Sequence, residues 1–488
     1  MNNYPPAPWE NLEYGSSLVN ISVKGNDIYI ISDLHIAAGL NASSNYEGTE
    51  NFFADDSFVR FLDHLQRKKT SSKAVLIING DFIDFLRIVN IPVSEEDFIA
   101  WQKMLQVVGI NKSISELKQS IVKKEITYGL KTHNFKSVWK LDICIRGHSK
   151  LFQRLAQWLS DGNNLIITKG NHDLEWYWKE VRSYLQYWLG NYIAKQKGAK
   201  TEDIISTIIL PQTLFIDDSL VVDDKIFVKH GHSFENMTSV KGDPLIGNKE
   251  ELNIPFGSFF NRYLINRIEL SYPYLDNVKP TQNILLVLFR ERFPFAIMML
   301  WRYLWLMWLL IQKKIFWETL KYLFTFLLII VIPVGITAYA ILHNRPLPTA
   351  TESTTPFIVK QLLSVGKNLG FLFLSYVFAR IMTAVKLKGP NSFYADAQNI
   401  FNTNDQIEIV TFGHTHNPEQ ISDHNKWYFN TGTWIPIYES TSSDVRMDKT
   451  YTFLQISKDE KGDFKPMPLQ RWNDDALRDD ALSLNEKK

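Results

Sequence analysis

The sequence predicts an α/β fold, a sheet buried between helices, and three observations predict it. Short β-branched runs recur along the chain and end in glycine, asparagine or histidine. A long helical stretch separates two of them, and 45% apolar residues in a chain of 488 suffice to bury a large core. A mean hydropathy of −0.15 excludes a polytopic transporter. Lys and Arg number 53 against 52 Asp and Glu, leaving +1, so no bulk attraction to nucleic acid is expected. Cys144 is the sole cysteine, which excludes a disulfide framework or a cysteine-rich zinc site and fits a reducing compartment. Met1–Lys24 has neither a basic start nor an apolar core, so no cleaved signal is expected there.

In chain order, the expected strands are Asp27–Ile36, Lys73–Ile83, Asn164–His172, Lys225–His232, Ile407–His414 and Lys426–Gly432. Each delivers polar residues at its C-terminal end, where sheets covered by helices place ligand chemistry. Between the second and third, Ser94–Ser160 reads as helical. Its last part carries Leu151, Phe152, Leu155 and Leu159 on one 3.6-residue stripe facing a core. Residues 94–148, around Trp101–Ile126 in particular, are extra material expected to cap the site. The charged tail 471–488 is expected to be disordered. The chain thus divides into 1–240 and 391–470, two parts of one domain, around an apolar insertion at 241–390.

Five clusters at the strand ends hold groups that can bind cations, in the order Asp33-Leu-His35, Gly80-Asp81, Gly170-Asn171-His172-Asp173, His230-Gly-His232 and Gly413-His414-Thr-His416. Carboxylate, imidazole and one amide oxygen together suit Mn²⁺, Fe²⁺ or Zn²⁺. Strand alternation would set Asp33 and His35 on one side, and His414 and His416 likewise. Asp81 has two oxygens and can bridge two ions. Any single cluster arises readily by chance. Five in order, holding six of the 11 histidines, do not. His64, His133, His148, His343 and His424 lack such a context and are read as structural or exposed.

This order resembles the calcineurin-like metallophosphoesterase superfamily over Asp27–His232 and Ile407–Trp434. The resemblance implies a four-layer α-β-β-α sandwich with a two-metal site at the strand ends, and Mn²⁺ as the first choice of cation. It implies that Asp33, His35 and His416 hold one ion, that Asn171, His230 and His414 hold the other, and that Asp81 bridges them. His232 is the alternative to His230, which is preferred because the family's ligand precedes the glycine. His172 would protonate the leaving oxygen, and Asp84 would orient His172; a solvated turn residue is the competing reading of Asp84. The implied reaction is hydrolysis of a phosphomonoester, phosphodiester or pyrophosphate by a metal-bridging hydroxide. Family phosphoprotein phosphatases carry arginines where this chain has Phe85 and Lys169, which disfavours a phosphoprotein. The layout also resembles bacterial UDP-2,3-diacylglucosamine pyrophosphohydrolases, which are shorter and carry arginine in place of His172. A scaffold of the same fold without activity would lack some of these ligands, and none is missing.

The insertion contains three apolar stretches, Phe293–Ile311, Tyr322–Leu342 and Asn368–Val385. His230 precedes them and His414 follows, so an even number of crossings is expected. Lysine placement selects 322–342 and 368–385 as transmembrane, with 293–311, rich in tryptophan, in the interface. The expected location is a membrane, with the catalytic domain facing the cytoplasm and a lipid or lipid-linked phosphate as substrate, in contact with membrane lipids. The sequence assigns no oligomeric state.

Overall fold

A computed structural model describes residues 17–23, 26–46, 49–266, 278–279, 293–294, 297–298, 301, 392–439, 449–459 and 462–482. The chain separates into two compact units, Met1–Glu291 with Pro390–Lys488, and Arg292–Gly389. The first unit is a mixed α/β structure with two large sheets.

Strand β1 spans Leu18–Ile21, β2 Asp27–Ile31, β3 Ala74–Asn79, β4 Asn164–Thr168, β5 Thr213–Ile216, β6 Ser219–Val222 and β7 Ile226–Lys229. In the eight-stranded sheet, β2, β3, β4 and β5 run parallel side by side, and Thr452–Lys458 pairs antiparallel with β2 on the other flank. In the six-stranded sheet, β7, Ile409–Phe412 and Lys426–Asn430 are parallel neighbours. Parallel β2, β3 and β4 end together, with Ile31 opposite Ile78 and Asn79 opposite Thr168, so the loops that follow them meet at one sheet edge.

Alternation sets the two faces of β2 to different tasks. Ile28 and Ile30 join Val75, Ile77 and Ile166 in a cluster with Leu220, Val222, Ile226, Val228 and Ile409 of the other sheet. Tyr29 and Ile31 face the opposite way, into a cluster with helices α1 (Asp55–Lys68), α5 (Asn134–Gly147), α6 (Ser149–Ser160) and α7 (Lys179–Lys197). The expected stripe of α6 is buried there through Leu151, Phe152, Leu155 and Leu159. On the far face of the six-stranded sheet, Val410, Phe412 and Tyr428 pack on Phe393, Ala397 and Phe401 around the helix Tyr394–Thr403.

Several sequence-based expectations are corrected. Every expected strand is shorter and stops before its polar cluster, at Ile31, Asn79, Thr168, Lys229, Phe412 and Asn430. Strand alternation therefore does not aim Asp33 and His35; the loop backbone does. The region 94–148 forms four helices, α2 (Glu95–Val107), α3 (Ile114–Ser120), α4 (Lys123–Tyr128) and α5, and α5 is a core element with most of its residues buried. The tail at 471–482 is not disordered. Gln470–Asn473 and Arg478–Ala481 pair as a hairpin at the end of the eight-stranded sheet, with Trp472 buried. Its charges find partners, Arg60 donating to Asp474 at 2.8 Å and Asp479 accepting from His64 and Lys68.

The expectation of transmembrane helices is corrected to what the described residues show: no helix among them is long and apolar enough to cross a membrane. The longest described helix, α7 at 19 residues, carries Lys179, Glu180, Arg182, Lys195 and Lys197. Stretches 322–342 and 368–385 lie outside the described residues, as does 293–311 apart from 293–294, 297–298 and 301.

Candidate metal centre

The loops after the strands are stitched together by backbone hydrogen bonds. Asp33 N donates to Gly80 O at 3.1 Å, His35 N to Asp81 O at 2.9 Å and Gly413 N to His230 O at 3.0 Å. Five non-glycine residues here, Asp33, His35, Asp81, His414 and His416, hold positive φ between 49° and 69°. Such backbone is uncommon outside glycine, and its clustering marks functional sites. Two glycines are fixed by close approach. A Cβ on Gly170 would lie 2.1 Å from Asp81 Oδ1, and one on Gly413 would lie 2.6 Å from Asp33 Oδ2.

The result is a nearly dry cluster of imidazoles and carboxylates. Asp33, His35 and His416 can converge on one point, and Asp81, His230 and His414 on another. The two groups touch: His35 Nε2 lies 3.6 Å from Asp81 Oδ2, and His230 Nε2 lies 3.2 Å from Asp81 Oδ2 and 3.9 Å from Asp33 Oδ1. Asp81 thus faces both groups. His414 N donates to Asp33 Oδ2 at 2.9 Å, tying the two sheets together at the site. His232, the alternative to His230, falls in neither group, its ring 5.5 Å from that of His230.

His230 Nδ1 donates to the carbonyl of Asn79 at 2.8 Å, which fixes the proton on that nitrogen and turns Nε2 toward two carboxylates. Burial opposes charge on His230, yet Asp81 and Asp33 draw its pKa up to about 9. Burial also opposes ionisation of Asp33, but the neighbouring His230, His35 and His416 hold its carboxyl well below the usual range. The cluster therefore demands positive charge.

Among the candidate ligands, three buried polar atoms make no hydrogen bond: Asp33 Oδ1, Asn171 Oδ1 and His230 Nε2. Buried polar atoms are ordinarily satisfied. Three orphans among residues that the strand-end pattern picks out as ligands fit a bound cation, which accepts electron pairs from all three atom types. These buried histidine and aspartate groups could hold a metal ion.

Asp84 is fully buried, which excludes the solvated-turn reading. Its Oδ2 accepts from His172 Nδ1 at 2.7 Å, and lies 3.2 Å from both His35 Nδ1 and Arg87 Nε. Burial resists its ionisation, but His172, His35 and Arg87 hold its carboxyl well below the usual range. His172 N donates to Asp81 Oδ1 at 2.8 Å, and the His172 side chain keeps 15% exposure, so its ring reaches solvent.

Three neighbours have roles that the sequence did not assign. Arg87, buried three residues after Asp84, supplies a fixed cation there. Asp173 accepts from Gly170 N and Phe82 N, clamping two ligand loops, and burial with the nearby Asp81 charge lifts its pKa to about 7. Ser258 donates to Asn171 O at 3.1 Å, so residues assigned to the insertion from 241 onward brace the site itself. An i+3 spacing to Asp84 was the signal for Arg87; Ser258 had none.

Neither a protein-family model nor a curated protein matches this chain.

Of the remaining histidines, His64 and His148 are structural, paired with Asp479 and with Glu50 and Asp55, and His424 is exposed. His133 is half-buried, and His343 lies outside the described residues.

Proposed function

We propose that this chain is a binuclear metal-dependent phosphoester hydrolase, a four-layer α-β-β-α relative of the calcineurin-like metallophosphoesterases. The observation that carries the reading is the set of three orphaned buried polar atoms, on Asp33, Asn171 and His230, among imidazoles and carboxylates of two adjoining groups. Asp33, His35 and His416 would hold one ion, Asn171, His230 and His414 the other, with Asp81 shared. Mn²⁺ suits the mixed N,O donors first, and Fe²⁺ or Zn²⁺ next. When bound, two such ions neutralise phosphate oxygens and lower the pKa of water.

The chain's own part is positional. Asp84 holds His172 Nδ1, so the ring presents Nε2 outward as the proton donor for the departing oxygen. His35 and Arg87 lie against the same Asp84 oxygen and keep it anionic, so Asp84 holds the ring by its Nδ1–H. The expected lipid-linked substrate rested on the transmembrane helices; the substrate class proposed is phosphate esters.

The test is hydrolysis of p-nitrophenyl phosphate and its bis ester by purified protein with Mn²⁺. Activity is expected in the wild type and its abolition in Asp81→Ala and His414→Ala; full activity in either variant refutes the assignment.

A further inference from the structure

We infer that Glu235 is a positioning residue that decides which nitrogen of His414 faces the second cation, an inference that rests on the metal reading above. His414 Nε2 has two oxygen neighbours, Glu235 Oε2 and Thr238 Oγ1, each at 3.3 Å. Thr238 spends its hydroxyl hydrogen on the carbonyl of His232 at 2.7 Å, so toward His414 it offers only a lone pair. Glu235 is a carboxylate and also only accepts. Both partners of Nε2 are thus acceptors, which places the ring proton on Nε2 and leaves the Nδ1 lone pair for a ligand.

The two histidines of the second group then present opposite nitrogens. His230 is held through Nδ1 by a backbone carbonyl and offers Nε2, whereas His414 is held through Nε2 by Glu235 and offers Nδ1. The local fold supports this arrangement. Gly231, at φ 108°, turns the chain after His230 into the short 3₁₀ turn His232–Phe234, and Glu235 follows it. Phe234 packs on Phe393 and Phe412, and Phe393 stacks on the His414 ring with planes 16° apart. The ring plane is therefore set by an aromatic contact and its tautomer by the carboxylate. Carboxylates behind metal-bound imidazoles raise ligand basicity in the same way.

The experiment compares Mn²⁺ affinity and stoichiometry of wild type, Glu235→Ala and Glu235→Gln by equilibrium dialysis, together with thermal unfolding of each apo protein. In Glu235→Ala one of the two ions is expected to bind about 10–100-fold more weakly, with the other ion and the apo unfolding temperature unchanged. Glu235→Gln keeps an acceptor oxygen and restores most of the affinity. If wild type binds two ions and Glu235→Ala binds both equally well, the role of Glu235 is overturned and the metal reading stands. Equal loss in both variants, with a lowered apo unfolding temperature, overturns it as well by making Glu235 a structural residue. A wild type that holds no ion overturns the metal reading and this inference together.

Discussion

Two buried polar clusters in this protein are built from the same residue types and differ in one respect. At the first, Glu50 accepts from the backbone N–H groups of Ala37, Gly39, Asn51 and Phe52, and from His148 Nε2 at 3.0 Å, while Asp55 takes His148 Nδ1 at 3.0 Å. Every strong acceptor there has a donor. At the second, around Asp33, Asp81 and His230, three polar atoms of candidate ligands make no hydrogen bond. The first is a finished network whose product is shape: Glu50 pins the loop just after His35. The second is incomplete without a cation. Burial alone therefore does not identify a site; unmet electron pairs gathered on several candidate ligands point to one.

That contrast is sharpest where one residue is removed from each cluster. His172→Ala is expected to lower turnover by about 10²–10⁴-fold, while elemental analysis finds the metal content unchanged, since no ligand is lost. Loss of metal in this variant would mean that His172 is a ligand and that its proton-donor role is wrong. Glu50→Ala acts through stability. It strands a buried imidazolium and four N–H groups, and breaking such a buried pair costs about 3–5 kcal/mol, measurable by urea unfolding. An unchanged unfolding midpoint would remove the distinction between the two clusters.

A pH series addresses the finished network by itself. Burial opposes charge on His148, but Glu50 and Asp55 raise its pKa to about 9. A histidine raised above its ordinary value of about 6.5 contributes stability in full below that value. The contribution is lost as pH climbs from there through 9. Urea unfolding across that window is expected to fall by up to about 3 kcal/mol, with the slope much reduced in His148→Gln. A flat profile in the wild type would show that His148 is not held protonated.

Much of this molecule is legible in its sequence, and the illegible parts have physical causes. β-branched runs announce the parallel strands because residues such as Ile28–Ile31 are buried on both faces. The ligands are visible because they follow those runs directly. Hidden from sequence is the left-handed backbone of Asp33, Asp81 and His414, since non-glycine residues give no sign of adopting it. Asp84 is ambiguous in the sequence because its partners His35 and His172 arrive from two other loops, beside Arg87 of its own. The tail misled because its charges read as solvated, whereas Arg60, His64 and Lys68 on α1 pair with them. The apolar insertion misled differently: length and hydropathy suggested spans that no described helix provides.

The most direct measurement is a metal count. Apo protein would be dialysed against Mn²⁺, freed of loose ion and analysed by elemental analysis beside Asp81→Ala and Asp33→Asn. Two tightly held ions per wild-type chain are expected, with fewer in each variant. Saturation at 100 times the dissociation constant should raise unfolding free energy by about 2.7 kcal/mol. A wild-type chain that retains no divalent ion, and whose stability does not respond to Mn²⁺, would contradict the reading of this cluster as a metal centre.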